Sequence, residues 1–239
     1  MKVTIAIPAY DEVGSLASVV DEARAVLSGD GEVLIVDDGS RDGTAALADT
    51  LAASHPKVRV VHHETNRGFS GAMETCFRRS RGDWIFLVPA DGQTHVDELA
   101  RFLTRAADAD IVVGVRSHRA DRWERKVLSR GFHLVARTLY DLPLREFSSA
   151  FLFRRSLLDE MPFRSRPRSA TLLPEILFRA RRRGARIVEL DVPQFPRRAG
   201  RAKGGQLSVA LITLVELLRL WPLIRLDEAR KVKRVATAP

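Results

Sequence analysis

The sequence lacks the markers of several common kinds of site. One cysteine, Cys76, is present among 239 residues, so no disulfide can form within the chain, which fits a reducing, cytoplasmic compartment. The histidines match no metal-ligand spacing such as His-Glu-x-x-His. The first strand pattern leads into Pro8–Glu12 and not into a glycine-rich phosphate loop, which disfavours a nucleotidyltransferase. Met1–Thr4 run directly into that strand pattern, so we expect no signal peptide.

Charge is distributed unevenly along the chain. Residues 1–115 carry 11 Lys and Arg against 18 Asp and Glu (11 − 18 = −7), whereas residues 116–239 carry 28 against 12 (28 − 12 = +16). Such asymmetry indicates an anionic partner for the second half, namely nucleic acid, an anionic membrane or a phosphorylated substrate. Nucleic acid is disfavoured because the basic half has no recognisable reading motif with aromatic platforms. The alternative is an arginine-rich surface that simply faces water.

Strand and helix patterns alternate through the first half of the chain. Apolar, β-branched runs predict strands at Lys2–Ile7, Glu32–Val36, Val58–Val61, Trp84–Val88 and Ile111–Val115. Helical spacing predicts helices at Val13–Leu27, Thr44–Ala53, Phe69–Arg79 and Val96–Ala107. This alternation predicts an α/β fold with a mostly parallel sheet and right-handed crossovers.

The second half is less regular. It predicts helices at Lys126–Tyr140 and Leu172–Arg183, strands at Ala150–Phe153 and Ile187–Val192, and a loop at Gln194–Gln206. We therefore divide the chain into a main domain, residues 1–206, and a C-terminal segment, residues 207–239.

The C-terminal segment contains an apolar helix pattern, Val209–Trp221, followed by a basic tail. Glu216, Arg219 and Pro222 interrupt the apolar stretch Leu207–Ile224, which argues against a bilayer span. Two interpretations stay open. The helix lies on an anionic membrane, or it is buried against the sheet or a partner chain.

The most informative stretch is Trp84–Gln93. A buried strand ends there in turn residues, and Asp91 and Gln93 follow at the carboxyl end of that strand, where open α/β sheets bind ligands. Two oxygen donors at this spacing can meet one Mg²⁺ or Mn²⁺ ion, which can neutralise a diphosphate. The alternative is an ordinary Asp-Gly turn.

Two further strand ends carry polar or aromatic residues, Pro8–Glu12 and Asp37–Ser40. If these strands neighbour Trp84–Val88, all three loops line one edge of the sheet. Tyr10 could then stack on a nucleobase, Asp38 could accept a hydrogen bond from a base, and Glu12 could hold ribose or base.

The motifs, taken in order, resemble those of the family 2 glycosyltransferases, which have the GT-A fold. The resemblance covers roughly residues 2–205 and rests on Ile7–Glu12, Val36–Ser40, Asn66–Gly68, Ala90–Gln93, Val113–Arg116 and Arg197–Lys203. Within that family the chain is most similar to the catalytic domains of dolichol- and polyprenyl-phosphate mannosyl- or glucosyltransferases.

The resemblance implies an inverting transfer from a nucleotide-sugar donor, a GDP- or UDP-sugar, to a lipid phosphate, with Mg²⁺ or Mn²⁺ and with contact to the cytoplasmic face of a membrane. It implies donor contacts at Pro8, Ala9, Tyr10, Glu12, Val36, Asp38, Ala90, Asp91 and Gln93. The implied metal ligands are Asp91 and Gln93. The implied catalytic residues are Asp91, Arg116, Arg130, Arg197 and Lys203. Of these, Arg116 and Arg130 contact the acceptor phosphate. Arg197 and Lys203 lie on a mobile loop and close over the donor diphosphate.

Two departures from the family pattern leave alternatives open. Pro89 stands where the family usually has the first Asp of Asp-x-Asp, so one carboxylate ligand is missing. Either Asp91, Gln93, the donor diphosphate and waters suffice to bind the metal, or the metal affinity is reduced. Glu146–Phe151 replaces the more usual Asp-x-x-Ser-Gly-Phe. The alternative functions are a glycosyltransferase with a hydroxyl acceptor, such as a saccharide or small metabolite, and a non-catalytic sugar-nucleotide binder.

Overall fold

The computed structural model describes residues 1–116, 123–146, 149–159, 161–200 and 207–236. The strands are β1 (Val3–Ala9), β2 (Glu32–Asp37), β3 (Val58–His62), β4 (Trp84–Leu87), β5 (Ile111–Arg116), β6 (Phe151–Arg154) and β7 (Ile187–Val192). The helices are α1 (Leu16–Val26), α2 (Thr44–Ser54), α3 (Phe69–Arg79), α4 (Leu99–Arg105), α5 (Trp123–Tyr140), α6 (Arg155–Asp159), α7 (Leu172–Arg182) and α8 (Leu207–Ala236).

The strands form one sheet in the order β3-β2-β1-β4-β6-β5-β7. Every pairing is parallel except the two made by β6, which runs antiparallel to both β4 and β5. The prediction of a mostly parallel α/β sheet is therefore confirmed. Strand β1 lies between β2 and β4, so the three strands that precede the sequence motifs are direct neighbours.

Alternate residues of the central strands face two apolar layers. In β1, Ile5 and Ile7 pack with α1 residues such as Val19, whereas Ala6 faces the opposite layer, which contains α3 and α7. All three β1 residues are fully buried. Both faces of the sheet are covered, which is why its central strands read as continuous apolar runs in the sequence.

Four helices depart from their predicted bounds by three residues or more. Helix α1 begins at Leu16 and not at Val13, and α5 begins at Trp123 and not at Lys126. The predicted helix Val96–Ala107 is a 3₁₀ turn at Val96–Glu98 followed by the shorter α4. Helix α8 extends well beyond the predicted Val209–Trp221 and continues through Pro222. Pro222 lies on the exposed side of α8, so its ring does not enter the core, and the carbonyl that loses its intrahelical partner belongs to the exposed Leu218.

Helix α8 packs on the main body through Leu217, Leu220 and Ile224, which join the same apolar cluster as Tyr140 of α5. The Tyr140 hydroxyl donates a hydrogen bond to the Leu217 carbonyl at 2.9 Å. Of the helices that the structure describes, none combines the length and the apolar character needed to cross a bilayer.

Buried charges also join α8 to α7. Arg179 of α7 is fully buried and donates to Glu175 at 2.9 Å, to Asp227 at 3.0 Å and to Glu228 at 2.8 Å. Burial alone would raise the pKa of the Glu228 carboxyl, but hydrogen bonds from Arg183 and Arg179 outweigh it and hold this pKa below its ordinary value.

Candidate active site

The ends of β1, β2 and β4 meet at one edge of the sheet, as the sequence predicts. Ala9 of β1 pairs with Asp37 of β2, and the Asp38 N–H donates to the Ala9 carbonyl at 2.8 Å. On the other side of β1, the Ala90 N–H donates to the Pro8 carbonyl at 3.4 Å. The three motifs are thereby held against one another by backbone hydrogen bonds.

The first motif is shaped by the loop after β2. Asp11 has a left-handed backbone (φ 47°), and its carboxylate accepts a hydrogen bond from the Arg41 N–H at 2.7 Å. Its own N–H donates to the Ser40 hydroxyl at 2.9 Å, and the Glu12 N–H donates to the Thr44 hydroxyl at 2.8 Å. Because Asp11 and Glu12, the two residues after Tyr10, are tied to the β2–α2 segment, the loop has a fixed course.

Asp38 is buried, with 3% of its surface exposed, and its carboxylate is used inside the protein. One oxygen accepts hydrogen bonds from the Arg67 N–H at 2.8 Å and from His63 at 2.6 Å, and the other accepts from the Gly68 N–H at 2.8 Å. Asp38 therefore shapes the Asn66–Gly68 loop. Its direct contact with a base stays a prediction.

A cleft of ≈ 480 Å³ opens beside these loops, at the ends of β2 and β3. It is lined by residues of the Val36–Ser40 and Asn66–Gly68 motifs, including Gly39, Ser40 and Asn66, but not by Tyr10 or Asp38. His62, in its wall, lies 3.0 Å from Asp37 and 3.0 Å from Asp49. Burial lowers the pKa of His62, but hydrogen bonds with these two carboxylates outweigh it and raise the pKa above its ordinary value.

The turn after β4 presents Asp91 at the same edge. Gly92 has a left-handed backbone (φ 70°), and the Gln93 N–H donates to Asp91 Oδ1 at 3.0 Å. A Cβ added to Gly92 would lie 2.6 Å from the Arg198 side chain, so this close approach also needs glycine.

Residues 193–200, which we call the strap, lie across this turn. The Phe195 N–H donates to the Gln93 carbonyl at 2.9 Å, and the Arg198 N–H donates to the Asp91 carbonyl at 3.2 Å. The Phe195 ring stacks on His95 with centroids 3.9 Å apart. The strap is thus fixed to the Asp91 turn by its backbone as well as by side chains.

Arg197 of the strap joins two motifs that are far apart in the sequence. Its Nη1 donates to Asp91 Oδ2 at 2.8 Å, and its Nη2 donates to Glu12 Oε1. The three side chains are between 10% and 17% exposed. The structure therefore brings the predicted residues Arg197, Asp91 and Glu12 together, with a cation between two carboxylates.

Arg116 lies at the end of β5, on the same edge. Its Nε and Nη2 donate to Glu146 Oε1, the Nε at 2.7 Å, and its backbone N–H donates to Glu146 Oε2 at 3.1 Å. Arg130 lies on α5, where the backbone and not the side chain is described. Lys203 lies outside the described residues.

Sequence reasoning assigned no role to several residues of this edge. The sequence carries no signal for the contacts of His63 with Asp38 and of Ser40 with Asp11, which emerge only from the fold. Among the described residues, two buried side-chain oxygens have no hydrogen-bond partner, Ser149 Oγ just before β6 and Gln194 Oε1 in the strap. Ser149 lies within the Glu146–Phe151 stretch, and Gln194 lies three residues before Arg197, which is the signal that the sequence offers for them.

Asp91 and Gln93 offer oxygen atoms, the ligands that Mg²⁺ and Mn²⁺ prefer, so their chemistry fits the implied metal. Over the described residues, however, no group of three or more His, Cys, Asp and Glu side chains is placed to hold a metal ion. A metal at Asp91 would need further oxygens, from water or from a bound diphosphate.

Comparisons with known proteins show which sequences and structures this chain is similar to. The model of the family described as "Glycosyl transferase family 2" matches residues 4–164. The chain is 31% identical over 226 residues to an undecaprenyl-phosphate mannosyltransferase of Micrococcus luteus, covering 90% of this chain and 93% of that protein. It is 34% identical over 152 residues to a dolichyl-phosphate beta-glucosyltransferase of Trichomonas vaginalis, covering 55% of this chain and only 45% of that protein.

Among solved structures, the fold is similar to that of a glucosyl-3-phosphoglycerate synthase from Mycobacterium tuberculosis, crystallised with Mn²⁺, UDP-glucose and phosphoglyceric acid. The TM-score is 0.71 at 19% identity, over 91% of this chain and 79% of that one. At this identity the likeness concerns the fold, and the expected GT-A architecture is confirmed.

Proposed function

Because this chain belongs to the family 2 glycosyltransferases, we propose that it transfers a sugar, with inversion, from a nucleotide-sugar donor to a polyprenyl-phosphate-type acceptor. The observation that carries the acceptor class is the near full-length similarity to the undecaprenyl-phosphate mannosyltransferase of M. luteus. The donor is a GDP- or UDP-sugar. The reaction uses the edge of the sheet at which Glu12, Asp38 and Asp91 converge.

The donor lies across the ends of β1, β2 and β4. Its nucleoside contacts the Pro8–Glu12 and Val36–Asp38 segments, and its diphosphate approaches Ala90, Asp91 and Gln93. Asp91 and Gln93 hold Mg²⁺ or Mn²⁺, which, when bound, supplies positive charge to the leaving diphosphate. The fixed course of the Tyr10 loop supports this proposal, because a preformed loop orients the donor at little entropic cost.

Breaking the bond between sugar and diphosphate places negative charge on the leaving group. Arg197 lies 2.8 Å from Asp91, which the proposal places beside that leaving group, and Lys203 follows it in the sequence. A guanidinium can donate two parallel hydrogen bonds to a phosphate, which stabilises the charge as it develops.

The acceptor is proposed to be a phosphomonoester, which is already ionised and needs no strong general base. Arg116 and Arg130 are the proposed cations that hold it. Glu146 is a positioning residue for Arg116 in this proposal, because its carboxylate fixes both the side chain and the backbone N–H of that arginine.

Residues 207–236 are proposed to contact the cytoplasmic face of the membrane that carries the acceptor. One side of α8 packs on the main body, while Val215, Leu218 and Leu226 on the other side are 62%, 56% and 55% exposed. Arg225 is exposed and lies over the ring of Trp221 at 4.8 Å, whereas Trp221 itself packs on the main body, so this side of α8 carries a cation beside its apolar residues. Such a surface suits the interface of an anionic membrane.

The test is transfer of radiolabel from GDP- and UDP-sugars, with Mn²⁺, in the presence and absence of a polyprenyl phosphate. We expect label in an organic-extractable product only when the lipid phosphate is supplied. Label that enters water-soluble product alone would replace this proposal with a hydroxyl acceptor. Donor binding without transfer to any acceptor would replace it with a sugar-nucleotide binder.

A further inference from the structure

The guanidinium of Arg197 lies where a metal ion would meet Asp91. We propose that in the ligand-free enzyme Arg197 and a divalent cation compete for Asp91 and Glu12, so that metal binds well only when a diphosphate draws Arg197 away. The inference rests on the proposed function, because it assumes a diphosphate donor at this edge. It concerns a step that precedes transfer and can be measured without turnover.

Both oxygens of Asp91 are already occupied by donors of the protein. Oδ1 accepts from the Gln93 N–H at 3.0 Å, and Oδ2 accepts from Arg197 Nη1 at 2.8 Å. Arg197 also donates to Glu12, and Asp91, Glu12 and Arg197 are all at most 17% exposed. A metal ion that coordinates Asp91 directly must therefore displace or repel a partly buried cation.

The charges at this position explain why the competition is effective. Asp91 and Glu12 together carry two negative charges, and Arg197 neutralises one of them. Pro89 supplies no carboxylate at the turn, so little negative charge is left to hold a divalent ion beside a guanidinium. A divalent ion and the Arg197 guanidinium, both in contact with Asp91, would repel each other strongly in this partly buried site.

A diphosphate reverses this balance. It adds two or more negative charges next to Asp91, and it offers Arg197 a bidentate partner in place of the carboxylates. Once Arg197 donates to the diphosphate, Asp91 Oδ2 becomes available to the metal, and the diphosphate oxygens complete the ligand set that the protein lacks. Metal and diphosphate thus bind cooperatively, and each raises the affinity of the other by the same factor.

The exchange requires only a movement of the Arg197 side chain, because the strap on either side is anchored. Phe195 and Arg198 donate backbone hydrogen bonds to the Asp91 turn. The Arg198 guanidinium also donates to Glu22 and to the Ser18 hydroxyl of α1, the latter at 2.9 Å. The strap therefore holds the Arg197 backbone close to both its carboxylate and its diphosphate partners.

The experiment is a calorimetric titration of the full chain with Mn²⁺ alone, for the unmodified protein, Arg197→Gln and Arg59→Gln. Arg59 is the matched control, since it also pairs with a partly buried carboxylate, Glu32 at 2.8 Å, but at the opposite edge of the sheet. We expect Arg197→Gln to bind Mn²⁺ about tenfold more tightly, as removal of a competing ion pair implies, and Arg59→Gln to match the unmodified protein. Arg197→Lys retains the charge and should stay close to the unmodified protein.

A second titration is made with saturating GDP or UDP present. We expect the diphosphate to strengthen Mn²⁺ binding much more in the unmodified protein than in Arg197→Gln. Equal Mn²⁺ affinity of the unmodified protein and Arg197→Gln without diphosphate would overturn the inference, and so would failure of both to bind Mn²⁺ under either condition. The first result would leave the proposed function standing. The second would remove Mn²⁺ from it, while the proposed sugar transfer would stand as long as label still enters the lipid product.

Discussion

At the scale of single residues, the candidate site depends on carboxylates that fix the backbone of its loops. Asp38 is the clearest case, because three N–H donors from the 63–68 loop converge on its two oxygens. Asp11 acts similarly toward Arg41. Acidic residues that look like ligand contacts in the sequence thus also fix the loops that form the site.

Replacing Asp38 by Asn tests this organising role. The amide retains one acceptor oxygen and presents an NH₂ group where a second oxygen accepted from Gly68, so a buried N–H loses its partner. We expect the free energy of unfolding to fall by about 1–3 kcal/mol, measured by urea denaturation. The exposed Asp30 provides the control, and Asp30→Asn should change stability by less than about 0.5 kcal/mol. An Asp38→Asn protein as stable as the parent would mean that the loop holds its shape without this carboxylate.

The sequence predicted which residues gather at the edge but not how they contact one another. Motif order and strand ends were enough to place Glu12, Asp38 and Asp91 together. The Arg197–Asp91 pair joins positions 106 residues apart, and no periodicity reports on such a contact. The internal hydrogen bonds of Asp38 were likewise invisible, because a buried carboxylate and a ligand-binding one have the same sequence signature.

At the scale of the elements, α7 and α8 are joined by a buried arginine. Arg179→Ala would leave the buried Glu175 without its cation and would leave Glu228 with Arg183 alone. We expect a loss of about 3–5 kcal/mol in the free energy of unfolding, measured by urea denaturation. Arg181→Ala is the control on the same helix, because its partner Asp141 is exposed and such a pair contributes at most about 1 kcal/mol. Similar losses for both variants would contradict a special role of the buried network.

The outer face of α8 yields a second prediction at this scale. Leu218→Glu removes an exposed apolar side chain and adds a charge that anionic lipid repels. We expect its binding to anionic vesicles to weaken at least about tenfold in a sedimentation assay, with folding retained. Leu134→Glu alters a leucine of α5 that is 67% exposed, and it should bind as the unmodified protein does. Equal binding by both variants would remove α8 from the proposed interface.

Helices and strands were predictable where the apolar pattern extends over many residues. The direction of a strand or the extent of a helix was less predictable, because tertiary contacts determine it. The strands of the first half and α3 follow from their patterns, since both faces of the sheet are covered. The antiparallel direction of β6 does not follow from its four residues. That direction depends on the end of the sheet at which the chain arrives after the preceding helix, α5. The extent of α8 was underestimated because Pro222 reads as a helix end, whereas packing of Leu220 and Ile224 carries the helix past it.

At the scale of the whole molecule, the uneven charge of the chain matches the roles that we propose for its two halves. The acidic first half contributes the donor edge, with Glu12, Asp38 and Asp91. The basic second half contributes Arg116, Arg197 and α8, which are assigned to the phosphates and to the membrane surface. An acceptor that is itself an anionic lipid accounts for both features of the second half.

The most direct test of the account is the amount of label that Asp91→Asn and Asp97→Asn transfer from a nucleotide sugar into organic-extractable product when polyprenyl phosphate is supplied. Asp97 is an exposed acid in the 3₁₀ turn that follows the Asp91 turn, and it lies outside the proposed site. We predict lipid-dependent labelling by the unmodified protein and by Asp97→Asn, and a loss of at least about a hundredfold in Asp91→Asn. Equal labelling by the two variants, or labelling that does not depend on the lipid phosphate, would contradict it.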